Sequence, residues 1–287
     1  MQRREWLQAL AIASAVGGSA LGATRVAAQS QRLIGADRLL DAYRKIFAST
    51  SAESVCCWYF GTLFIRPADG PEIPVLHAET IMAYRANKTA PTGLTLDWTE
   101  IGLLRDLVSG ALMRGWINPL NGKSITMPAT FRDGPGQYRV IPNESGLAVT
   151  LRQGGANVEG VEVILAAEGS RVTLRQTERK VRGLPAQATA SDIARLPKST
   201  TILTWWADRS ELDDPSCVSA TASGAYSFET NALPDWAGLA NLAGTTMVRG
   251  VMRKARASEV LNPATWSTLK SAYPDFFDAN GLTPSVT

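Results

Sequence analysis

From residue 55 onward the chain is patterned in period two. Residues 55–66 are apolar on both faces, Cys57, Tyr59, Leu63 and Ile65 alternating with Cys56, Trp58, Phe60 and Phe64. A strand of that kind is buried on two sides or walls a lined cavity. Short extended segments then follow at 73–85, 93–104, 111–117, 137–141, 147–152, 158–166, 171–181, 200–207, 220–229 and 245–254. Gly134-Pro135-Gly136, Gly154-Gly155, Glu168-Gly169 and Asp213-Asp214-Pro215 read as the turns between them. About ten strands at this spacing predict a mainly β fold, a large antiparallel β-barrel or barrel-like sandwich.

A different period appears at the two ends. Ala36, Leu39, Leu40, Tyr43, Ile46 and Phe47 recur at helical spacing, so residues 36–48 form an amphipathic helix that packs on the sheet or plugs it. Near the C-terminus, Asn262-Pro263 caps a helix over 263–273 with Trp266, Leu269 and Tyr273 on one face. Between them, 111–117 and 123–127 read as a hairpin. Pro119 removes a backbone donor and forces Asn118 extended, while Asn121-Gly122 tolerates positive φ, so the chain turns back and holds Trp116 at a barrel rim. Residues 183–199, rich in Ala, Pro and Ser, read as a linker or long loop.

Composition agrees with a soluble globular class: 287 residues, 45% of them apolar. The first 28 residues stand apart. Arg3-Arg4 precede Trp6-Leu7, a weakly apolar Ala/Gly run follows, and Val26-Ala27-Ala28 offers small residues to a peptidase. This pattern predicts a twin-arginine signal peptide over 1–28, a single domain over 29–287, passage through the twin-arginine export machinery, residence in the periplasm, and no stable membrane insertion after cleavage. A short amphipathic helix with chance arginines is the alternative. Without the leader the formal charge of +3 falls to about +1, because Arg3, Arg4, Arg25 and Glu5 leave with it; that is no nucleic-acid footprint. In an oxidising compartment, either Cys56 or Cys57 pairs with Cys217, since alternate strand residues face opposite ways, or all three are small buried apolar residues.

The chemistry is sparse. One histidine, His77, rules out sites with two histidine ligands, and it serves more simply as a structural residue of its strand. Neither a Gly-x-Ser-x-Gly elbow, a Walker loop nor a dinucleotide fingerprint is present, so neither metal nor cofactor is expected. Carboxylate, arginine and aromatic chemistry remains. Trp98 and Glu100 share a strand face, and a carboxyl flanked by Trp98, Ile101 and Leu103 in an apolar interior would be desolvated and suited to proton transfer. The competing reading pairs Glu100 with Arg85 or Arg114 in an ion pair. Arg105 and Asp106 suit a turn cap. Arg171, Thr173, Arg175, Thr177 and Arg179 share one face, a stripe that is either solvated or meets an acidic partner, and Trp205-Trp206 places one indole on each face.

Trp58-Tyr59-Phe60-Gly61, Arg85, Glu100 before Gly-Leu-Leu-Arg-Asp, the run from Gly115 to Lys123, Pro234-Asp235-Trp236 with Gly244, Arg249-Gly250, Lys254, and Tyr273-Pro274-Asp275-Phe276-Phe277 together resemble the bacterial family termed domain of unknown function 1838. The likeness spans about residues 36–278, and the Trp-x-Asn-Pro-x-x-Gly hairpin is its most specific piece. It departs from the family at 102–114, where Leu107, Val108 and Leu112 replace a more polar turn. The resemblance implies an exported protein and supplies no activity.

These readings converge on an exported, cofactor-independent enzyme of lyase or isomerase type acting on a small hydrophobic or aromatic molecule. Glu100 is the expected acid or base, Arg85 orients it or the substrate, and Trp58, Tyr84, Trp98, Trp116, Asn118 and Trp205 are the expected substrate-binding residues. The alternatives are a periplasmic carrier of a hydrophobic ligand without catalysis, and an accessory protein docking its basic strand on another exported protein.

Overall fold

A computed structural model describes residues 36–282 apart from 52, 90–92, 119, 145, 154–155, 183–195, 235–238, 240–241 and 256–260. The leader, Pro119, the Gly154-Gly155 turn, most of the 183–199 segment and Asp235-Trp236 lie outside the described residues. The strands are β1 (Val55–Pro67), β2 (Ile73–Thr89), β3 (Gly93–Arg105), β4 (Gly115–Ile117), β5 (Ser124–Thr126), β6 (Thr130–Asn143), β7 (Gly146–Gln153), β8 (Ala156–Glu168), β9 (Arg171–Arg182), β10 (Lys198–Asp208), β11 (Ala222–Thr230) and β12 (Gly244–Lys254). Ten of them form a closed barrel in which every pairing is antiparallel, and only the β4–β5 hairpin stands outside it. Closure is direct, since β1 pairs with both β2 and β12, so the barrel is realised and no second sheet layer exists among the described residues.

The predicted N-terminal helix is α1 (Ala36–Phe47), and it plugs the barrel. Its Phe47 meets Tyr84 of β2 at 5.5 Å, Tyr138 of β6 at 6.5 Å and Trp205 of β10 at 5.9 Å, so one side chain touches three sides of the wall. Phe47 and Tyr43 are fully buried, and burying side chains of that size stabilises by about 2–3 kcal/mol each. Lys254, inside β12, donates to the backbone carbonyls of Lys45 and Ala48 and ties down the helix end, its own pKa lowered to about 8 mainly by burial.

Why β1 is apolar on both faces is now clear. Its inner face joins the core beneath α1, and its outer face is covered by α3 (Pro263–Ala272) and α4 (Pro274–Ala279), where Cys56, Ile81, Ile101 and Leu103 pack against Trp266, Leu269, Phe276 and Phe277. A further short helix, α2 (Arg209–Asp213), follows β10. At the end opposite α1, the β4–β5 hairpin folds over the wall, burying Met113, Trp116 and Met127 against Ile65 and Leu76 and against Leu233 and Leu239 from the segment before β12. The outer wall elsewhere exposes Arg139, Arg152, Glu162, Arg171, Arg175 and Arg179. Among the described residues no helix is long and apolar enough to cross a membrane.

Three expectations need correcting. Gly134-Pro135-Gly136 is no turn between strands: it lies within β6, where pairing to β3 slips between Trp98 and Glu100, and Gly136 has no Cβ because the Trp98 ring lies against it. The hairpin strand at 111–117 shrinks to Gly115–Ile117, with only an isolated bridge from Leu112 to Arg105 before it. The cysteines are free, Cys56 buried facing the outer helices and Cys57 buried in the interior, while Cys217 is half-exposed, so neither the bridge nor three buried thiols describes the structure.

Candidate functional site

Register fixes which side chains look into the barrel. Tyr59 aligns with Thr80 of β2 and Gly102 of β3 on one side, and with Met252, Gly224 and Trp205 on the other. One step further along, Gly61 aligns with Gly250, Tyr226, Leu203 and Gln176. Large rings lie flat on the glycines of this inner wall: Tyr226 covers Gly61 and Gly250, and Phe131 covers Gly102. A Cβ on Gly61 would stand 2.3 Å from the Tyr226 hydroxyl.

Beneath the aromatic layer under α1 the wall is no longer sealed. Inward-facing Met82, Glu100, Val163, Thr201, Tyr226 and Phe228 all keep part of their surface accessible. Glu100 nonetheless feels burial as the largest influence on its carboxyl. Inward side chains of a closed barrel that keep accessible surface face an internal chamber.

That chamber is polar along one wall. Tyr138 and Gln176 donate to Glu178 Oε1 at 2.6 and 2.8 Å, and Tyr43 of the plug helix donates to Gln176 at 2.9 Å. Lys180 Nζ lies 2.8 Å from Glu178 Oε2 and donates to Gln153 at 3.1 Å. Gln153 in turn donates to both oxygens of Asp133 at 3.1 and 3.3 Å. Asp133 is the direct strand partner of Glu100. A continuous hydrogen-bonded chain therefore runs from α1 to the solvent-exposed carboxylate beside Glu100.

Glu100 itself is raised from 4.5 to about 7. Burial is the main cause and Asp133 adds to it, while the Thr80 hydroxyl and the Lys180 ammonium pull the other way. Thr80 Oγ1 is buried and makes no well-formed hydrogen bond among the described residues, yet it stands close enough to the Glu100 carboxyl to act on it as a donor. The Tyr226 phenol is pushed up, first by burial and then by the Glu100 charge; Tyr59 is pushed up first by burial and then by Tyr84, whose hydroxyl lies 3.0 Å from its own. Among the described residues no ion pair within 4.0 Å engages Glu100, so neither Arg85 nor Arg114 neutralises it.

The structure gathers some predicted site residues and disperses others. Trp98, Tyr84 and Trp205 face the interior and are buried in the aromatic layer under α1. Arg85 does not reach Glu100: it sits on the opposite strand face, exposed, donating to Ser54 Oγ and the Ala279 carbonyl. Trp58 is also outside, donating to Glu79, which pairs with Arg105 at 2.8 Å against Thr265 of α3. Ile101 and Leu103, expected to flank Glu100, face the outer helices. Trp116 is buried in the hairpin cluster, and Asn118 builds the turn, accepting from Leu120 N through Oδ1 and from Gly122 N through its carbonyl. His77 shares a 2.9 Å hydrogen bond with Thr62 on the outer wall and is structural.

Sequence reasoning missed Thr80, Asp133, Gln153, Glu178, Lys180 and Tyr226. One signal was available: along β9 the face that begins Val172, Leu174 continues Gln176, Glu178, so a face that starts in the core turns polar without leaving it. Among the described residues no group of three or more His, Cys, Asp or Glu side chains could hold a metal ion. A separate groove of about 420 Å³, lined by Lys198, Ile202, Met247 and Arg249 among others, lies on the outer wall of β10–β12, away from Glu100. Comparison with family models, curated proteins and solved structures found nothing that matches this chain.

Proposed function

We propose that this protein is a cofactor-independent enzyme that moves a proton within a small, largely apolar molecule held in the barrel, with Glu100 as the acid and base. The observation carrying this reading is Glu100 itself: deep in the wall, partly accessible to an internal chamber, free of an ion pair among the described residues, and raised to about 7. A carboxyl with that affinity for protons exists in both forms at neutral pH, the condition under which one group can take a proton and return it. The apolar surface of Met82, Val163 and Phe228 suits a hydrophobic substrate body. Isomerase or lyase chemistry follows, because it needs proton transfer and no electron carrier. The leader pattern of residues 1–28 supports the periplasm as the place of work.

The test begins with native mass spectrometry of protein purified from its own compartment, to find the molecule it retains. Incubated with that molecule in D₂O, the wild-type chain is expected to catalyse incorporation of deuterium, and Glu100→Gln to lose at least about 100-fold of that rate. Incorporation by the wild type no faster than without protein would leave carriage without chemistry as the function, and equal acceleration by both proteins would remove Glu100 as the catalyst.

A further inference from the structure

Around Glu100 stand two hydroxyl groups that make no well-formed hydrogen bond among the described residues. Thr80 is only 4% exposed, yet its Oγ1 makes no hydrogen bond. A buried hydroxyl left in that state is destabilising, so its persistence needs a reason. Tyr226 keeps accessible surface in the chamber, and among the described residues its phenol makes no hydrogen bond, although Gly61 and Gly250 hold the ring flat against the wall. Tyr226 lies 5.5 Å, ring to ring, from Tyr59, which is the strand partner of Thr80. The Thr80 hydroxyl points its donor capacity at the Glu100 carboxyl, and the Tyr226 phenol responds to the Glu100 charge. The three groups come from β2, β3 and β11 and converge on one space.

The charge of that space limits what can enter. Lys180 is matched by Glu178 at 2.8 Å, leaving Asp133 and, when ionised, Glu100 as uncompensated negative charge. A carboxylate or phosphate ligand would be repelled; an uncharged molecule with an oxygen acceptor would not.

We propose that the chamber binds an uncharged carbonyl compound whose oxygen accepts hydrogen bonds from Thr80 and Tyr226 while Glu100 acts on the adjacent carbon. This rests on the proton-transfer reading of Glu100 and names its substrate class. In the step, ionised Glu100 takes a proton from the carbon next to the carbonyl. The C–H electron pair forms a C=C bond, and the carbonyl π pair moves onto oxygen, where the Thr80 and Tyr226 hydroxyls hold the developing charge. Glu100 then returns the proton to the same carbon or to another carbon of the conjugated system, giving back the carbonyl compound or its isomer with no oxidant or reductant involved.

The experiment uses ¹³C=O acetophenone as a neutral, enolisable probe, with Tyr226→Phe and Thr80→Val, which each remove a hydroxyl at nearly constant volume. Infrared difference spectra are expected to show the bound carbonyl band shifted to lower frequency in wild type and Glu100→Gln. The shift should be reduced in each hydroxyl variant and absent in the double variant. Deuterium exchange of the probe's methyl group in D₂O, followed by NMR, is expected to fall about 100-fold in Tyr226→Phe, the usual loss for one oxyanion donor, and by a similar factor in Glu100→Gln. Unchanged band and exchange in both hydroxyl variants would overturn the inference while leaving Glu100 in place if Glu100→Gln alone loses exchange. Exchange that survives in Glu100→Gln with the band still hydroxyl-dependent would instead remove Glu100 and keep the oxygen site. Absence of any bound carbonyl band in the wild type would reject the substrate class.

Discussion

Glu100 of β3 and Asp133 of β6 are direct partners across their ladder, both on the inner side of the barrel, one deep and one exposed to solvent. Burial is the main reason the Glu100 carboxyl is hard to ionise, and the neighbouring Asp133 charge makes it harder still.

Stability should record that proton. Because the folded value for Glu100 lies near 7 and the ordinary one at 4.5, the folded chain holds more protons than the unfolded chain between those values and loses stability as pH rises across them. Glu100→Gln removes the effect. Urea unfolding is expected to find the variant more stable than wild type at pH 8 by on the order of 2 kcal/mol, reduced from the full linkage value by partial solvent access, with the gap closing toward pH 4.5. A gap that does not change with pH contradicts the assignment.

The glycine slot for Tyr226 gives a second expectation. Gly61→Ala forces the ring off the wall and should cost about 1–3 kcal/mol. Combining it with Tyr226→Phe removes the hydroxyl that stands 2.3 Å from the new methyl and should recover much of that loss, read as a coupling energy in a double-mutant cycle. Additive losses would mean that the hydroxyl is not the obstacle.

On the outer wall, Glu79 accepts from Trp58 and from Arg105, and Arg105 also donates to Thr265 of α3. Glu79→Ala leaves a largely buried guanidinium and an indole without their acceptor, and is expected to cost about 3 kcal/mol in urea unfolding, with Glu79→Gln losing less. Turnover chemistry in the chamber should be far less affected than by Glu100→Gln. Equal loss of stability in the two Glu79 variants would argue that the carboxylate charge, not its hydrogen bonds, holds the helices.

Thiol counting separates the cysteine alternatives. Cys56 and Cys57 are buried, with Cys56 pushed up to about 12 and Cys57 pushed up as well by burial, while Cys217 is half-exposed. A disulfide-type reagent should therefore label about one thiol in the folded chain and all three in denaturant. One reactive thiol in denaturant without reductant would reveal a bridge.

The barrel was legible in the sequence because period-two alternation survives wherever one face of a strand meets the core. Most strands lie within a few residues of their expected bounds. What failed were places where polarity and position part company. Gly134-Pro135-Gly136 carries turn chemistry but serves a strand irregularity under Trp98. Arg85 belongs to the strand expected for it, yet alternation puts it on the face away from Glu100. The polar inner wall of Gln176, Glu178 and Lys180 was signalled only by its continuity with Val172 and Leu174, since closure of the barrel decides which side is inside. Glu100 was singled out from its neighbours Trp98, Ile101 and Leu103, of which only Trp98 shares its face; Tyr226 was not, because its partner in the argument is the glycine that makes room for it.

The most direct measurement is an infrared titration of the Glu100 carboxyl, taken as the difference between wild type and Glu100→Gln from pH 4 to 9. A protonated-carboxyl band that disappears with a midpoint of about 7, and at lower pH in Asp133→Asn, is the result expected of a chamber acid. Disappearance near the ordinary 4.5, with no response to Asp133→Asn, would contradict it.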